Sequence, residues 1–346
     1  MKNKIALATA AMVASSSLAT AEIVINDFLS FEGFVDMSYT HTDSDLNGSS
    51  NSFAVDQVEV NWLFDFDPVT AQIDFTHLGS DNHVFNQGTY VGTGTNTGVE
   101  QAFATYHMDG GSAVTAGMYG SMLGFDAFEP TGLYQYSTGY AFFSNAAGTP
   151  GYVQGVKYTY ETDSSFFGIS MQDYATGSGF AGPGTFGGGS SLNDGYGIEV
   201  AGSLILGEGL TWFAGGAYED SDDGFAGDAY VLNTYLTYET GAWIFAGELI
   251  YNDMSPDGGV YTDGYSAQLM GNFAYSEQAS VTGRVSFYDS DLGPGSDADG
   301  VAFTLAHGYA FTDNLFLVNE ISYADEEVNG ADDEILFGAV ELIFSF

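Results

Sequence analysis

The sequence predicts an all-β fold, a transmembrane up-and-down antiparallel β-barrel of about sixteen strands. Glycine (47 residues), phenylalanine (28) and tyrosine (23) are abundant, and these residues favour strands and turns over helix interiors. Apolar and polar side chains alternate along about sixteen segments. The connections between those segments alternate between short and long, which is typical of a meander that crosses a membrane back and forth.

The alternation is clearest in the last segment, "ILFGAVELIFSF", residues 335–346. Because successive side chains of a strand point to opposite faces, Leu336, Leu342 and Phe346 share one apolar face, whereas Glu341 lies on the other. The same pattern recurs in "VEVNWLFDF", "YGIEVAGSL" and "WIFAGELIY". An apolar face of this length needs an apolar partner, and lipid supplies one.

The segments are about ten residues long, the length that a tilted strand needs to cross a bilayer. They begin near residues 29, 55, 69, 99, 113, 152, 165, 196, 210, 229, 242, 265, 279, 301, 315 and 335. Tight turns such as Asp109-Gly110-Gly111 alternate with polar stretches at 43–52, 79–98, 121–151, 175–195, 220–227, 253–264, 289–300 and 324–334. This asymmetry predicts short periplasmic turns and long extracellular loops.

Aromatic residues are sorted along the predicted strands. In this register the outward-facing tryptophans lie near the tight turns, and outward-facing tyrosines lie near the loops. The residues concerned are Trp62, Trp212 and Trp243 at one end and Tyr39, Tyr251 and Tyr323 at the other. Two aromatic belts around an apolar band are typical of a membrane interface. A soluble β-sandwich with aromatics in its core is the alternative, and it does not predict this sorting.

Residues 1–21 have the pattern of a cleaved secretory signal peptide. Lys2 and Lys4 precede an apolar run, and Ala19-Thr20-Ala21 supplies the small residues of a cleavage site. Residues 22–346 are then one barrel domain, without cysteine and therefore without disulfides. The formal net charge of −42 and the scarcity of basic residues exclude nucleic acid as a partner.

Carboxylates occupy the face opposite the apolar stripe. They are Glu32, Asp36, Glu59, Asp65, Asp74, Glu199, Glu239, Glu248, Glu320 and Glu341. A barrel of about sixteen strands encloses water, and acidic rings favour cations. Lys157 and Arg284 are the basic residues on the same parity. The alternative is that each carboxylate only keeps the lumen wall hydrated, but the excess of carboxylates over basic residues predicts a preference for cations.

One acidic stretch has the start of a calcium-binding loop. "DSDLNG" would supply oxygen ligands from Asp43, Asp45 and Asn47, although position twelve of such a loop holds Ala54 in place of the usual glutamate. Ca²⁺ or Mg²⁺ at the external loops is therefore one hypothesis, and solvated acidic loops are the alternative. We expect no other cofactor. We expect no enzyme activity either, because the histidines are scattered and no H-E-x-x-H or G-x-S-x-G occurs.

A chain that ends in an alternating strand with a terminal phenylalanine, here Phe346, resembles bacterial outer-membrane porins, whose last strand is read by the barrel-assembly machinery. The stretch "EQAFATYHMDGGSAVTAGMYGSMLGFDAFEPTG" is similar to the OmpL-like group of β-barrel porins. The resemblance implies the outer membrane of a Gram-negative bacterium. It also implies that the third external loop, 121–151, folds inward and narrows the pore with Asp126 and Glu129. The basic cluster that faces this loop in general porins has no counterpart here.

Together these observations favour a porin: a water-filled, cation-preferring channel for passive diffusion of small hydrophilic solutes. Its expected partners are outer-membrane lipid, lipopolysaccharide, solutes and cations, and the assembly machinery. A homotrimer and a monomer are equally open. The alternative function is a structural or adhesive barrel with a plugged lumen, whose acidic surface loops bind divalent ions.

Overall fold

The structure, a computed structural model, describes residues 22–78, 97–127, 129–173, 195–221, 228–255 and 262–346. Besides one 3₁₀ turn at Pro130–Gly132, the regular secondary structure of the described residues consists of strands. Their bounds are β1 Ile23–Asn26, β2 Leu29–Ser44, β3 Gly48–Asp65, β4 Val69–Leu78, β5 Thr97–His107, β6 Ser112–Gly120, β7 Tyr152–Glu161, β8 Ser165–Gln172, β9 Gly195–Gly207, β10 Leu210–Ser221, β11 Asp228–Thr240, β12 Trp243–Ser255, β13 Thr262–Ala274, β14 Ala279–Asp291, β15 Asp297–Thr312, β16 Leu315–Val328 and β17 Ala331–Ser345.

Strands β2 to β17 form a closed antiparallel barrel of sixteen strands, which confirms the predicted fold class. Each strand pairs with the next along the chain, and β17 pairs with β2 from Ile335↔Ser44 to Ser345↔Phe34. The short β1 adds to the start of β2. Closure leaves every barrel strand with two neighbours, as a membrane requires, because an unpaired edge in hydrocarbon has no water to bond.

The barrel exposes apolar side chains on its outside and buries polar ones inside. Along β16, Ile321 and Tyr323 are exposed, whereas Glu320 and Ser322 are buried. The tryptophans lie at the tight-turn end, where Trp243 stacks on Phe273. Among the described residues, no helix is long and apolar enough to cross a membrane.

The tight turns at one end of the barrel follow the prediction, and two of them depend on glycine. Gly111 has φ +87° and Gly209 has φ +73°, a left-handed conformation that side chains with a Cβ rarely adopt. A Cβ at either position would lie 2.1 Å from a backbone oxygen, that of Glu161 or Glu239. The turn at Gly111 therefore packs against β7, and the turn at Gly209 packs against β11.

The loop end differs from the prediction at three connections. The chain turns at residues 45–47, 292–296 and 329–330, and most of the predicted loops 43–52, 289–300 and 324–334 belongs to strands. Hydrophobic periodicity ends where the apolar band ends, but the ladder hydrogen bonds continue beyond it and keep these polar residues in strands. The predicted loops 79–98, 175–195 and 220–227 lie largely outside the described residues, as do residues 256–261 of the predicted loop 253–264, and the predicted signal peptide lies wholly outside them.

Removing the terminal residue tests how closure depends on it. Phe346 exchanges two backbone hydrogen bonds with Gly33, of 2.8 and 2.9 Å, and its ring covers that glycine. Deleting Phe346 should cost about 1–3 kcal/mol, since each such bond contributes about 0.5–1.5 kcal/mol. We expect a smaller fraction of heat-modifiable barrel on SDS gels after refolding.

Phe346→Leu is the matched control, because it keeps both backbone bonds. It should refold like the wild type. If it refolds but fails to reach the outer membrane in cells, the aromatic ring is read by the assembly machinery. Normal refolding of the deletion variant would contradict the closing role of Phe346.

Candidate functional site

The connection between β6 and β7 lies inside the barrel at its described residues, 121–127 and 129–151; we call residues 121–151 the inner loop. A hydrogen bond of 2.8 Å from Ser121 N to Gly151 O joins its two ends. From there the chain contacts inward-facing side chains of β9 to β17 and of β3. This one segment therefore contacts most of the strands that form the inner wall of the barrel.

Wall carboxylates hold the first part of the inner loop. Glu199 on β9 accepts hydrogen bonds from Ser121 Oγ (2.7 Å) and from Met122 N (2.6 Å). Glu248 on β12 accepts one from Phe125 N (2.8 Å). Both carboxylates were predicted to line open water; in the structure they are buried and anchor the backbone of the loop.

The second part of the loop is held on the opposite wall. Glu320 accepts hydrogen bonds from Ser137 N (3.0 Å) and Ser137 Oγ (2.6 Å). Arg284 donates to Ser137 O (2.7 Å) and Ser137 Oγ (2.8 Å). Ser144 donates to Glu326 on β16. Arg284, one of the two basic residues predicted to face the lumen, is thus hydrogen-bonded to the loop.

Two apolar clusters also bind the inner loop to the wall. In one, Tyr136 and Phe142 pack on Phe337 of β17, with ring centroids 5.8 and 5.4 Å apart. The other joins loop residues to side chains of β9 to β13; its members are Met122, Leu123, Phe125, Ala147, Ala201, Phe213, Ala217, Val231, Tyr235, Ala246, Ile250 and Met270. The loop is a packed element of the barrel.

The two loop carboxylates predicted to narrow the pore are both hydrogen-bonded. Asp126 Oδ2 accepts from Gly139 N (2.6 Å) and from Gln268 Nε2 (3.3 Å). Glu129 accepts from Tyr152 OH (3.0 Å) and Gln57 Nε2 (3.1 Å). Enclosure raises the pKa of Glu129 well above its ordinary value, and the nearby charge of Glu59 adds to the rise.

Two buried acids escaped the sequence prediction because each sits on a β-bulge. The ladder passes from Asp36↔Gln57 to Met37↔Val55, so Asp56 is the extra residue. In the pairing of β4 with β5, Asp74 pairs with Gln101 and Phe75 pairs with Val99, so Glu100 is the extra residue. A bulge turns two successive side chains to one face. Strict alternation places Asp56 and Glu100 toward lipid, whereas both are buried in the barrel.

The other predicted wall residues lie where the parity placed them. Asp36, Asp74 and Glu341 are buried, and Asp74 accepts hydrogen bonds from Gln72 and from Gln101 (2.8 Å). Glu32, Asp65 and Glu239 are partly exposed near the tight turns. Their influence on ion selectivity stays a prediction.

A cavity of about 440 Å³ remains on the side of β3 to β7, toward the tight turns. Its lining combines polar side chains with apolar ones such as Leu63, Phe103 and Met108, and Lys157 is its basic residue; the polar side chains include Thr70, Gln72, Gln101, Thr105, Thr115, Thr159, Glu161 and Asp163. Lys157 Nζ lies 4.3 Å from the centroid of the Tyr119 ring, a cation–π contact. This lysine is the predicted lumen cation that the inner loop does not use.

The candidate calcium residues lie at the turn between β2 and β3. Asp43 and Asp45 are exposed there, and Asn47 N donates to Ser44 Oγ (2.9 Å). Ion binding at this turn stays a prediction. Across the described ranges, three or more His, Cys, Asp or Glu ligand atoms come within 4.8 Å of one another at one place, which is Glu59, Glu100 and Glu129.

Residues 29–346 match the model of the family described as "Putative beta-barrel porin-2, OmpL-like". The chain belongs to this OmpL-like porin family. The match covers every barrel strand and confirms the resemblance that the sequence suggested, including the outer membrane as the setting of the barrel. Among curated proteins, no sequence match was found.

Solved outer-membrane proteins share the fold of this family member at low sequence identity. The channel DcaP of Acinetobacter baumannii aligns with a TM-score of 0.65 at 12% identity, over 92% of this chain and 97% of its own. An anion-selective porin from Comamonas acidovorans aligns with a TM-score of 0.65 at 14%, over 92% and 99%. OmpT of Vibrio cholerae aligns with a TM-score of 0.63 at 13%, over 94% and 100%.

Replacing an anchor tests the attachment of the inner loop. Glu248→Ala removes the acceptor of Phe125 N, Asn233 Nδ2 and Gln268 Nε2. Buried donors without an acceptor cost about 1–3 kcal/mol each. We expect a lower midpoint of thermal unfolding and faster proteolysis within residues 121–151. Glu239→Ala, near the tight turns, should change neither; equal proteolysis of both variants would contradict the anchoring role.

Proposed function

We propose that the protein is a passive diffusion channel of the outer membrane. The observation that carries this proposal is the cavity of about 440 Å³ beside the inner loop, whose lining includes hydroxyl, amide and charged side chains. The loop packs mainly along β9 to β17, and the cavity lies along β3 to β7, where hydroxyl and amide groups can replace the hydration of a small hydrophilic solute. Membership of the porin family supports the same reading.

We propose further that the channel prefers cations. Many carboxylates and few basic residues face the lumen, and Arg284 is engaged by Ser137. Lys157 is then the basic residue of the cavity. Fixed negative charge raises the local concentration of cations and repels anions. The porin from Comamonas acidovorans is anion-selective, so the preference must be decided by charge and cannot be carried over from the fold.

Several accompanying roles belong to the same proposal. Asp126 and Glu129 act at the constriction, Phe346 acts in assembly, and the outward aromatic belts of Trp62, Trp212, Trp243, Tyr39, Tyr251 and Tyr323 contact the interfaces. Residues 1–21 direct export. Lipid and lipopolysaccharide surround the barrel, and no enzymatic activity is expected. An OmpT structure from Vibrio cholerae is described as a trimer form, which supports a homotrimer here.

Single-channel recording tests the main proposal. The refolded protein is inserted into a planar bilayer across a potassium chloride gradient. We expect discrete current steps that reverse toward the potassium potential. Reversal toward the chloride potential would overturn the cation preference. Silence from protein that is heat-modifiable, and therefore folded, would overturn the channel.

The charge of the cavity gives a sharper prediction. Lys157→Gln removes its basic residue and should raise the ratio of potassium to chloride permeability, by about twofold or more if the site acts as a barrier of about 0.4 kcal/mol. Thr159→Val, which lines the same cavity without a charge, is the matched control. An unchanged ratio in Lys157→Gln would mean that ions pass elsewhere.

The loop carboxylates give a prediction of opposite sign. Replacing Asp126 with Asn and Glu129 with Gln removes two carboxyl groups while keeping hydrogen-bonding oxygens. The permeability ratio should then fall, because fewer carboxylates attract potassium. Equal reversal potentials for wild type and double variant would remove both residues from selectivity.

A second candidate function is a structural or adhesive barrel with a plugged lumen. Two observations favour it: the apolar packing of the inner loop inside the barrel, and the acidic cross-strand pairs Asp289↔Asp299 and Asp291↔Asp297 on the outer face beyond the apolar band. Directly opposed carboxylates repel unless cations lie between them. No conductance together with divalent-dependent binding of lipopolysaccharide would favour this function over the channel.

A further inference from the structure

Three carboxylates converge where the inner loop meets the wall. Glu59 comes from β3, Glu100 from the bulge of β5, and Glu129 from the loop, with one oxygen of each within 4.8 Å of the others. Glu59 and Glu100 are each 1% exposed. The cluster therefore lies inside the barrel, away from the acidic outer surface.

The hydrogen bonds of the cluster do not satisfy all of its oxygens. Gln57 Nε2 donates to Glu59 Oε2 (2.8 Å) and to Glu129 Oε2 (3.1 Å), and Tyr152 OH donates to Glu129 Oε1 (3.0 Å). Glu100 Oε2 is buried and has no hydrogen-bond partner among the described residues. A buried carboxylate oxygen without a donor is costly, so a proton or a bound cation is needed at this oxygen.

The two basic residues in the described part of the chain are engaged elsewhere. Arg284 is bonded to Ser137, and Lys157 lies over Tyr119. Three carboxylates so close together cannot all carry charge in an enclosed site without compensation. Either protons or a bound cation must supply it.

The geometry of the cluster suits calcium. Ca²⁺ binds oxygen at about 2.3–2.6 Å, so two ligands on opposite sides of one ion are at most about 5 Å apart. The three oxygens lie within 4.8 Å of one another, so one Ca²⁺ can contact all three. Mg²⁺ demands near-ideal octahedral geometry and gives up its bound water reluctantly, so an enclosed set of three protein carboxylates suits it less. Calcium also tolerates irregular coordination completed by water.

We propose that Glu59, Glu100 and Glu129 form a Ca²⁺ site that fastens the inner loop to the wall at β3 and β5. The site differs from the exposed turn of Asp43 and Asp45, and it stands whether or not the barrel conducts. Its ligands come from two strands and the loop, so the ion acts as a cross-link between segments that are distant in sequence.

The test is calorimetric titration of CaCl₂ into the full-length protein, refolded without lipopolysaccharide in zwitterionic detergent and freed of metal by a chelator. We expect one enclosed site per chain and a thermal midpoint that rises with Ca²⁺. Glu100→Gln and Glu129→Gln should each weaken this site at least tenfold. MgCl₂ should compete poorly.

Two controls isolate the cluster. Glu199→Gln weakens another anchor of the inner loop and should keep the site. Asp43→Asn combined with Asp45→Asn removes the external candidate and should keep it too. Heat-modifiability of each variant shows that it is folded, and Glu129→Gln lies in the loop, where it alters no strand.

Three results would overturn the proposal. They are absence of calcium binding in the wild type, undiminished binding in folded Glu129→Gln, and loss of the site in the Asp43/Asp45 variant alone. If the Gln variants are as stable as the wild type and calcium has no effect, the cluster carries a shared proton. Because the readout is binding, none of these results depends on channel current.

Discussion

The pairing of β17 with β2 is the constraint on which the rest of the structure depends. In hydrocarbon a free strand edge has no donor or acceptor to meet it, so the sheet must close on itself. Closure fixes which side chains face lipid and which face inward, and it encloses a space that lipid cannot enter. The polar interior is a result of that geometry, since hydrophobic burial alone would favour the reverse arrangement.

Because the interior of the barrel is polar, the inner loop can pack inside it. Its backbone N–H groups need acceptors once they leave external water, and Glu199, Glu248, Glu320 and Glu326 supply them. The same carboxylates that make the lumen acidic thus fix the segment that fills it. Any attempt to alter the charge of the lumen therefore acts on the position of the loop as well.

Much of the fold could be predicted because alternation and turn chemistry are local properties. The sixteen strands, their facing and the tight turns at Gly111 and Gly209 follow from neighbouring residues. The strand extensions beyond the apolar band could not be predicted, because polar residues such as Asp297 and Asp333 carry no periodic apolar signal. The site was predicted in part: the wall carboxylates were identified, but their contacts with a loop that is 77 to 183 residues away in the sequence depend on tertiary packing.

The bulges at Asp56 and Glu100 show that strand length, and not only composition, sets the charge of the lumen. One residue inserted into a strand moves a carboxylate from the lipid side to the interior, and its deletion moves the following side chains back. Barrels of this family can therefore gain or lose an internal charge through single-codon insertions and deletions, with no amino-acid substitution. In comparisons between family members, an alignment gap within a strand then carries as much information as a change of residue.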